Sequence, residues 1–174
     1  SFIMNQRQEL VTWDDVHRLI DNLMQQFDRQ YKVLLIITRG GIVPGGFLAH
    51  AMDIRNIYTA SVDFFEPLES PGQRNVPYLA WPRFLQFPEP AALRDERVLI
   101  VDDVWGSGRT ITAVRKRVLA AGGLPSTCVL HFNPNRNLFD ASLPDYYGAT
   151  TDARIIYPWE VERGFRSRFT PNLP

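Results

Sequence analysis

Two segments of the 174-residue chain concentrate groups able to hold phosphates, metal ions and sugar hydroxyls. In Asp102-Asp103-Val104-Trp105-Gly106-Ser107-Gly108-Arg109-Thr110, adjacent carboxylates precede a glycine-rich turn that carries two hydroxyls. Where such a turn opens a helix, the loop amides, the Ser107 and Thr110 hydroxyls and the helix dipole make a phosphate cradle. The acid pair beside it suits sugar hydroxyls, or a Mg²⁺ that bridges to other phosphates. In Thr38-Arg39-Gly40-Gly41, a fixed cation stands beside glycines that let backbone N–H groups close on an anion. One ligand with a phosphate, a polyhydroxylated ring and a second phosphate group would satisfy both segments. Other uses of these glycines fit less well. A P-loop needs a lysine before the serine or threonine, and Arg109 stands at the wrong spacing. A dinucleotide fingerprint needs a third glycine near position 111, which is Ile111.

Both segments need elements that bring them to one edge of the molecule. Val33–Thr38 and Val98–Val101 are continuous β-branched and aliphatic runs, the pattern of strands buried on both faces. Each leads straight into one of the two segments, and in an open parallel sheet ligands bind beyond the carboxyl ends of strands. Ile57–Phe65, Thr127–Phe132 and the short Arg154–Tyr157 complete the expected strands. Val16, Leu19, Ile20, Leu23, Met24 and Phe27 recur at helical spacing behind Thr12, a candidate N-cap with Asp15 three residues on. Phe47–Met52 reads as a short helix, and Thr110–Ala121 as a longer one that Gly122-Gly123 stops. Strands alternating with helices predict an α/β fold with a mainly parallel sheet flanked by helices. Glu66–Glu96 holds six of the thirteen prolines and shows no period, so it is expected to be a mobile lid or binding arm. Asn133–Asp152 is a second stretch expected to be irregular. The division expected is one domain over 1–174, with a core over about 10–132, a mobile loop over 66–96 and a C-terminal hood over 133–174.

Composition narrows the partners. Nineteen basic residues balance nineteen acidic ones, which argues against bulk attraction to nucleic acid or an anionic membrane. No apolar run approaches the roughly 20 residues that cross a bilayer, and a cytoplasmic location is expected. One cysteine, Cys128, excludes an internal disulfide and reads as a small core residue. His17, His50 and His131 lack metal-ligand spacing. His17 is expected to face solvent, while His131 closes a strand near the expected site. Trp105, inside the glycine-rich segment, suggests an exposed lid contact or a subunit interface.

Val98 to Thr110 resembles the phosphoribosyl-pyrophosphate signature of the type I phosphoribosyltransferases: a hydrophobic strand, two acids and a T-G-x-T loop. Ser107 replaces the first threonine and keeps the hydroxyl. Ile37-Thr38-Arg39-Gly40-Gly41-Ile42-Val43-Pro44-Gly45 is similar to the pyrophosphate loop of the xanthine and hypoxanthine-guanine branch. Ile155-Ile156-Tyr157-Pro158-Trp159-Glu160 resembles that branch's C-terminal hood. The resemblance spans most of Val33 to Glu160. It implies that Asp102 and Asp103 bind ribose hydroxyls, directly or through water and Mg²⁺. It gives the 5-phosphate to Gly106, Ser107, Gly108, Arg109 and Thr110, and pyrophosphate to Arg39 and Gly40. Arg74 and Arg83 in the long loop become candidates to stabilise departing pyrophosphate.

The implied activity is Mg²⁺-dependent transfer of ribose 5-phosphate from phosphoribosyl pyrophosphate to a nucleobase, a purine in salvage, by a homodimer with small-molecule partners only. Two departures stand out. Purine-using members carry an acid where this chain has Gly106, so a general acid–base residue has no owner. Where the branch stacks an aromatic on the base, the sequence offers Arg154 or Ile155, with Trp159 and Tyr157 as further candidates. The alternative reading is a regulatory protein that senses phosphoribosyl pyrophosphate or nucleotides and has lost catalysis.

Overall fold

The computed structural model describes residues 6–65 and 81–161. Strand β1 (Gln8–Leu10), which the sequence pattern did not reveal, leads into helix α1 (Trp13–Gln26). Thr12 caps that helix as expected. Its hydroxyl accepts the Asp15 N–H at 3.1 Å, and the Asp15 carboxylate accepts the Thr12 N–H at 2.9 Å. This reciprocal pair satisfies two amides near the start of the helix, where no carbonyl can reach them. Val16, Ile20 and Leu23 are buried along one face, while His17 is exposed.

Strand β2 (Val33–Ile37) is buried at all five positions. Helix α2 (Ile42–Ala51) starts five residues before the expected Phe47 and runs through Pro44-Gly45-Gly46. Pro44 is tolerated because it lies in the first turn, where its missing N–H would have had no intrahelical partner. Strand β3 (Asn56–Phe65) pairs parallel with β2, and β4 (Trp81–Gln86) pairs antiparallel with β3. The segment expected to be irregular up to Glu96 therefore contains a strand and the short helix α3 (Pro90–Leu93). Its prolines hid both elements. Pro82 sits in an edge strand, where a missing N–H is cheap, and Pro90 opens the helix. Phe84 and Phe87 pack on the core, and the Arg117 guanidinium lies 4.3 Å from the Phe84 ring centroid. The expected loop residues Arg74 and Tyr78 lie outside the described residues.

Strand β5 (Arg97–Trp105) continues through the acid pair instead of ending at Val101. Helix α4 (Arg109–Ala120) follows, then β6 (Leu124–Phe132). The stretch after β6 was expected to be irregular but holds β7 (Tyr146–Thr150), a short edge strand with Gly148 at its centre. Strand β8 (Arg154–Ile156) pairs with β1 in a separate two-stranded parallel sheet, and α5 (Pro158–Val161) ends the described chain.

The main sheet has the order β4-β3-β2-β5-β6-β7, parallel except for β4. Alternate residues of its central strands feed two cores. Leu34, Leu99 and Leu130 pack with Val16, Leu23 and Leu48 of α1 and α2. Leu35, Ile100 and Val129 pack with Val114 and Val118 of α4. Helices thus cover both faces, which is why β2 and β5 could be apolar throughout. Cys128 is fully buried in the first core, as expected.

Candidate active site

Because β2 and β5 are parallel neighbours, with Ile36 opposite Val101, their carboxyl ends lie side by side. The sheet therefore brings Gly40 against Asp103. The approach is so close that a Cβ on Gly40 would lie 2.5 Å from Asp103 Oδ1. A Cβ on Gly41 would overlap the Val101 carbonyl and come within 2.7 Å of the Ile37 carbonyl. Only glycine lets the two backbones meet here. The Thr38–Arg39 peptide is cis. Arg39 is exposed and forms no ion pair with another described residue, and α2 begins after Gly41 without a side-chain cap.

The acid pair is half-buried and its carboxylates are partly held by backbone. Asp102 Oδ1 accepts the Asp103 N–H at 2.9 Å, and Asp103 Oδ1 accepts the Val104 N–H at 2.7 Å. Burial pushes Asp102 well above the usual carboxylate range, and the neighbouring Asp103 charge adds to it. Burial also raises Asp103, against the hydrogen bonds it accepts. Some surface of each residue still reaches solvent, but the dense protein around them keeps the charged forms costly. Two such groups call for a cation or for hydroxyl donors from a ligand. Among the described residues, no group of three or more His, Cys, Asp and Glu side chains is placed to hold a metal ion. A Mg²⁺ that keeps its waters and takes further oxygens from substrate needs only one or two carboxylates, so Asp102 and Asp103 fit it.

The glycine-rich loop is anchored from beneath. Trp105 is 2 % exposed, which corrects the expectation of a lid or interface contact. It is the last residue of β5 and points into the core, tilted edge-on against Phe132. Its indole N–H donates to Asn137 Oδ1 at 3.1 Å, and the Asn137 amide donates to the Phe139 and Ser142 carbonyls. Gly108 adopts φ 82°, and a Cβ there would overlap the Trp105 indole nitrogen. From this turn the chain enters α4. Ser107 Oγ accepts the Arg109 N–H at 3.3 Å, and Arg109 and Thr110 form the helix's first turn. The Arg109 guanidinium lies over the Phe64 ring of β3 at 4.8 Å. Gly106 faces open space, with Arg136 Nη1 4.0 Å from where a Cβ would begin.

The structure divides the hood candidates. Arg154 is exposed, whereas Ile155, its neighbour on the opposite face of β8, is buried in the core beneath α1. That correction follows from strand alternation, which sends adjacent side chains to opposite faces. Trp159 stacks on Tyr157 with centroids 4.5 Å apart and planes 5° apart, and it also meets Trp13. Tyr157 is 1 % exposed. Arg83 lies on β4 opposite Asp63. The tail residues Glu162, Arg163, Arg166 and Arg168 lie outside the described residues. Asn137 and Arg136 were missed by sequence reasoning, and the only trace of them was an asparagine-rich turn. His131 was noted only for its position at a strand end.

A mainly parallel sheet between helices, with acid pair, cation loop and glycine-led helix start on adjoining strand ends, is the fold of the type I phosphoribosyltransferases. The model of the phosphoribosyl transferase domain family matches residues 8–148. A xanthine-guanine phosphoribosyltransferase from Gluconobacter oxydans is 30% identical over 157 residues, covering 87% of this chain and 83% of the relative. The solved purine phosphoribosyltransferase from Pyrococcus horikoshii Ot3 is 26% identical with a TM-score of 0.72, covering 96% of this chain and 98% of that one. A solved protein from Neisseria gonorrhoeae with bound ppGpp is also 26% identical, with a TM-score of 0.73 and 90% of each chain covered. The chain belongs to the phosphoribosyl transferase family.

Proposed function

We propose that this protein transfers ribose 5-phosphate from phosphoribosyl pyrophosphate to a purine-type nucleobase and releases pyrophosphate. The observation that carries this reading is the desolvated Asp102–Asp103 pair, with Asp103 pressed against Gly40, followed by the Trp105-anchored loop. The relatives' names speak for transfer rather than for a sensor without catalysis. A purine base joined to phosphates, as in the ppGpp bound by the Neisseria protein, is the kind of ligand such a site would accept.

In this reading Asp102 and Asp103 hold the ribose hydroxyls and would hold Mg²⁺ through water. When bound, Mg²⁺ supplies positive charge that neutralises the pyrophosphate as it departs. The amides of Gly106, Ser107 and Gly108, the first-turn residues Arg109 and Thr110 and the positive end of α4 take the 5-phosphate. Arg39 and the Gly40 backbone take pyrophosphate. A base nitrogen forms the new bond to C1 of the ribose. The bond from C1 to the pyrophosphate oxygen breaks, and its electron pair leaves with pyrophosphate. Arg154 and Trp159 are the hood groups left to meet the base. Gly106 offers no carboxylate, so the attacking nitrogen must lose its proton to solvent or to the departing group. Catalysis then rests on positioning and on neutralising the leaving group.

The test is direct. Folded protein is mixed with phosphoribosyl pyrophosphate, Mg²⁺ and each of xanthine, guanine, hypoxanthine and adenine, and pyrophosphate release is measured. Turnover with at least one base is expected, and none with any base overturns the reading.

A further inference from the structure

Tyr157, at the end of hood strand β8, reaches across to the strand that carries the acid pair. Its hydroxyl lies 3.2 Å from the Asp103 carbonyl oxygen and 2.7 Å from His131 Nδ1. A phenol has one proton, and a carbonyl can only accept. Both contacts are hydrogen bonds only if Tyr157 donates to Asp103 and His131 Nδ1–H donates to Tyr157. That fixes the imidazole tautomer and leaves Nε2 bare. His131 is 4 % exposed, and burial holds its pKa down, in keeping with a neutral ring. It borders a cavity of about 300 Å³ shared with Glu9, Asp15, Arg18 and Asn22. His131 also sits directly opposite Val104 in the β5–β6 ladder. Tyr157 is clamped from its other face by Trp159.

We infer that Tyr157 and His131 are positioning residues, a hydrogen-bonded chain from the hood and β6 that fixes the backbone at Asp103. This rests on the functional reading above for what the acid pair binds. Asp103 has little freedom to spare. Its carboxylate lies where a Gly40 side chain would be, so a small shift of its backbone moves the ribose-binding oxygen and the pyrophosphate loop together. Tyr157 holds the carbonyl of that same residue. Because the phenol belongs to the hood, its hold also joins the part expected to meet the base to the part expected to meet the sugar. Neither residue touches substrate in this arrangement, so the effect passes through Asp103.

The experiment uses the whole protein and compares Tyr157→Phe, His131→Leu, His131→Asn and the Tyr157→Phe/His131→Leu double variant. Melting temperature is recorded for each. Phosphoribosyl pyrophosphate affinity with Mg²⁺ is measured by calorimetry, and KM and kcat are measured wherever turnover exists. Loss of one hydrogen bond in the chain should weaken phosphoribosyl pyrophosphate binding about five- to tenfold in Tyr157→Phe and His131→Leu. KM for the base, measured at saturating phosphoribosyl pyrophosphate, should stay within about twofold. His131→Asn, which can place an N–H where Nδ1–H stood, should recover most of the affinity. The double variant should be no worse than Tyr157→Phe alone, because the two act as one chain. Wild-type affinity in folded Tyr157→Phe, or effects that multiply in the double variant, would overturn the inference. So would an imidazole nitrogen spectrum that places the His131 proton on Nε2. Wild-type protein that binds phosphoribosyl pyrophosphate but turns over no base defeats the transferase reading and leaves this inference to the binding data. Wild-type protein that binds none defeats both.

Discussion

The carboxyl ends of β2 and β5 lie side by side, yet they are held in place by different means. At β2 the chain goes from Ile37 to α2 through glycines that press on the neighbouring strand, with no room for a Cβ at Gly40 or Gly41. At β5 the strand runs four residues past the apolar run, and its last side chain, Trp105, turns inward and is tied to Asn137. The first cradle is set by backbone against backbone, the second by a side-chain anchor under the turn. Backbone contact tolerates no added atom, whereas an anchored turn can be loosened by degrees.

The largest loss is expected for Gly41→Ala. Its methyl would overlap the Val101 carbonyl and press on that of Ile37, so a loss of ~3 kcal/mol or more, or failure to fold, is expected. A Gly41→Ala protein with a wild-type denaturation midpoint would remove the claim that this end is fixed by backbone. Gly108→Ala should cost less, ~1–3 kcal/mol, because the strain of a positive φ adds to a clash with a side chain that can shift. The same substitution made in Trp105→Phe should cost measurably less than in wild type, since the overlapping indole nitrogen is gone. Equal costs in urea unfolding would count against the anchor.

The acid pair gives an intermediate effect with a defined sign. The folded state raises the pKa of both carboxyls above their ordinary 3.8, so over the interval above that value it binds more protons than the unfolded chain. The pair's contribution to stability is therefore largest at low pH and is lost as pH rises through the raised folded values. Asp102→Asn should raise the melting temperature at pH 7 by ~2–6 °C while weakening Mg²⁺-linked substrate binding at least tenfold. A variant that melts lower than wild type at pH 7, or that keeps full affinity, would refute that account. The smallest effect is expected at Gly106→Ala, where a Cβ meets nothing nearer than Arg136 at 4.0 Å. Stability there should stay within ~0.5 kcal/mol of wild type.

Much of this site could be read from residue order because local rules dictate it. The capping pair Thr12 and Asp15 act within four residues, and the sequence pattern alone predicts their hydrogen bonds. The apolar runs at β2 and β5 were visible because strands covered on both faces need no polar alternation. The early start of α2 was hidden by Pro44 and two glycines, which read as loop until the helix's first turn makes them harmless. Strands β4, β7 and β1 escaped notice because each is an edge strand or part of a two-stranded ribbon, whose residues answer to neighbours far away in sequence. Trp105 misled for the same reason, since nothing local says that the last residue of β5 faces Phe132 and Asn137. Ile155 was misassigned because the facing of β8 depends on its pairing with β1, almost 150 residues earlier.

Residue order alone sets which chemical groups this protein could bring to a ligand: an acid pair, a hydroxyl-bearing glycine turn, a cation beside glycines, and strands and helices in alternation. Those follow from composition and spacing over ten or so residues. How they meet depends on the fold. Parallel pairing of β2 with β5 puts Gly40 on Asp103, burial makes that carboxylate costly to ionise, and Tyr157 arrives from the far end of the chain to hold its backbone. Contact and desolvation depend on which segments are neighbours in space, and residue order fixes that only through the fold.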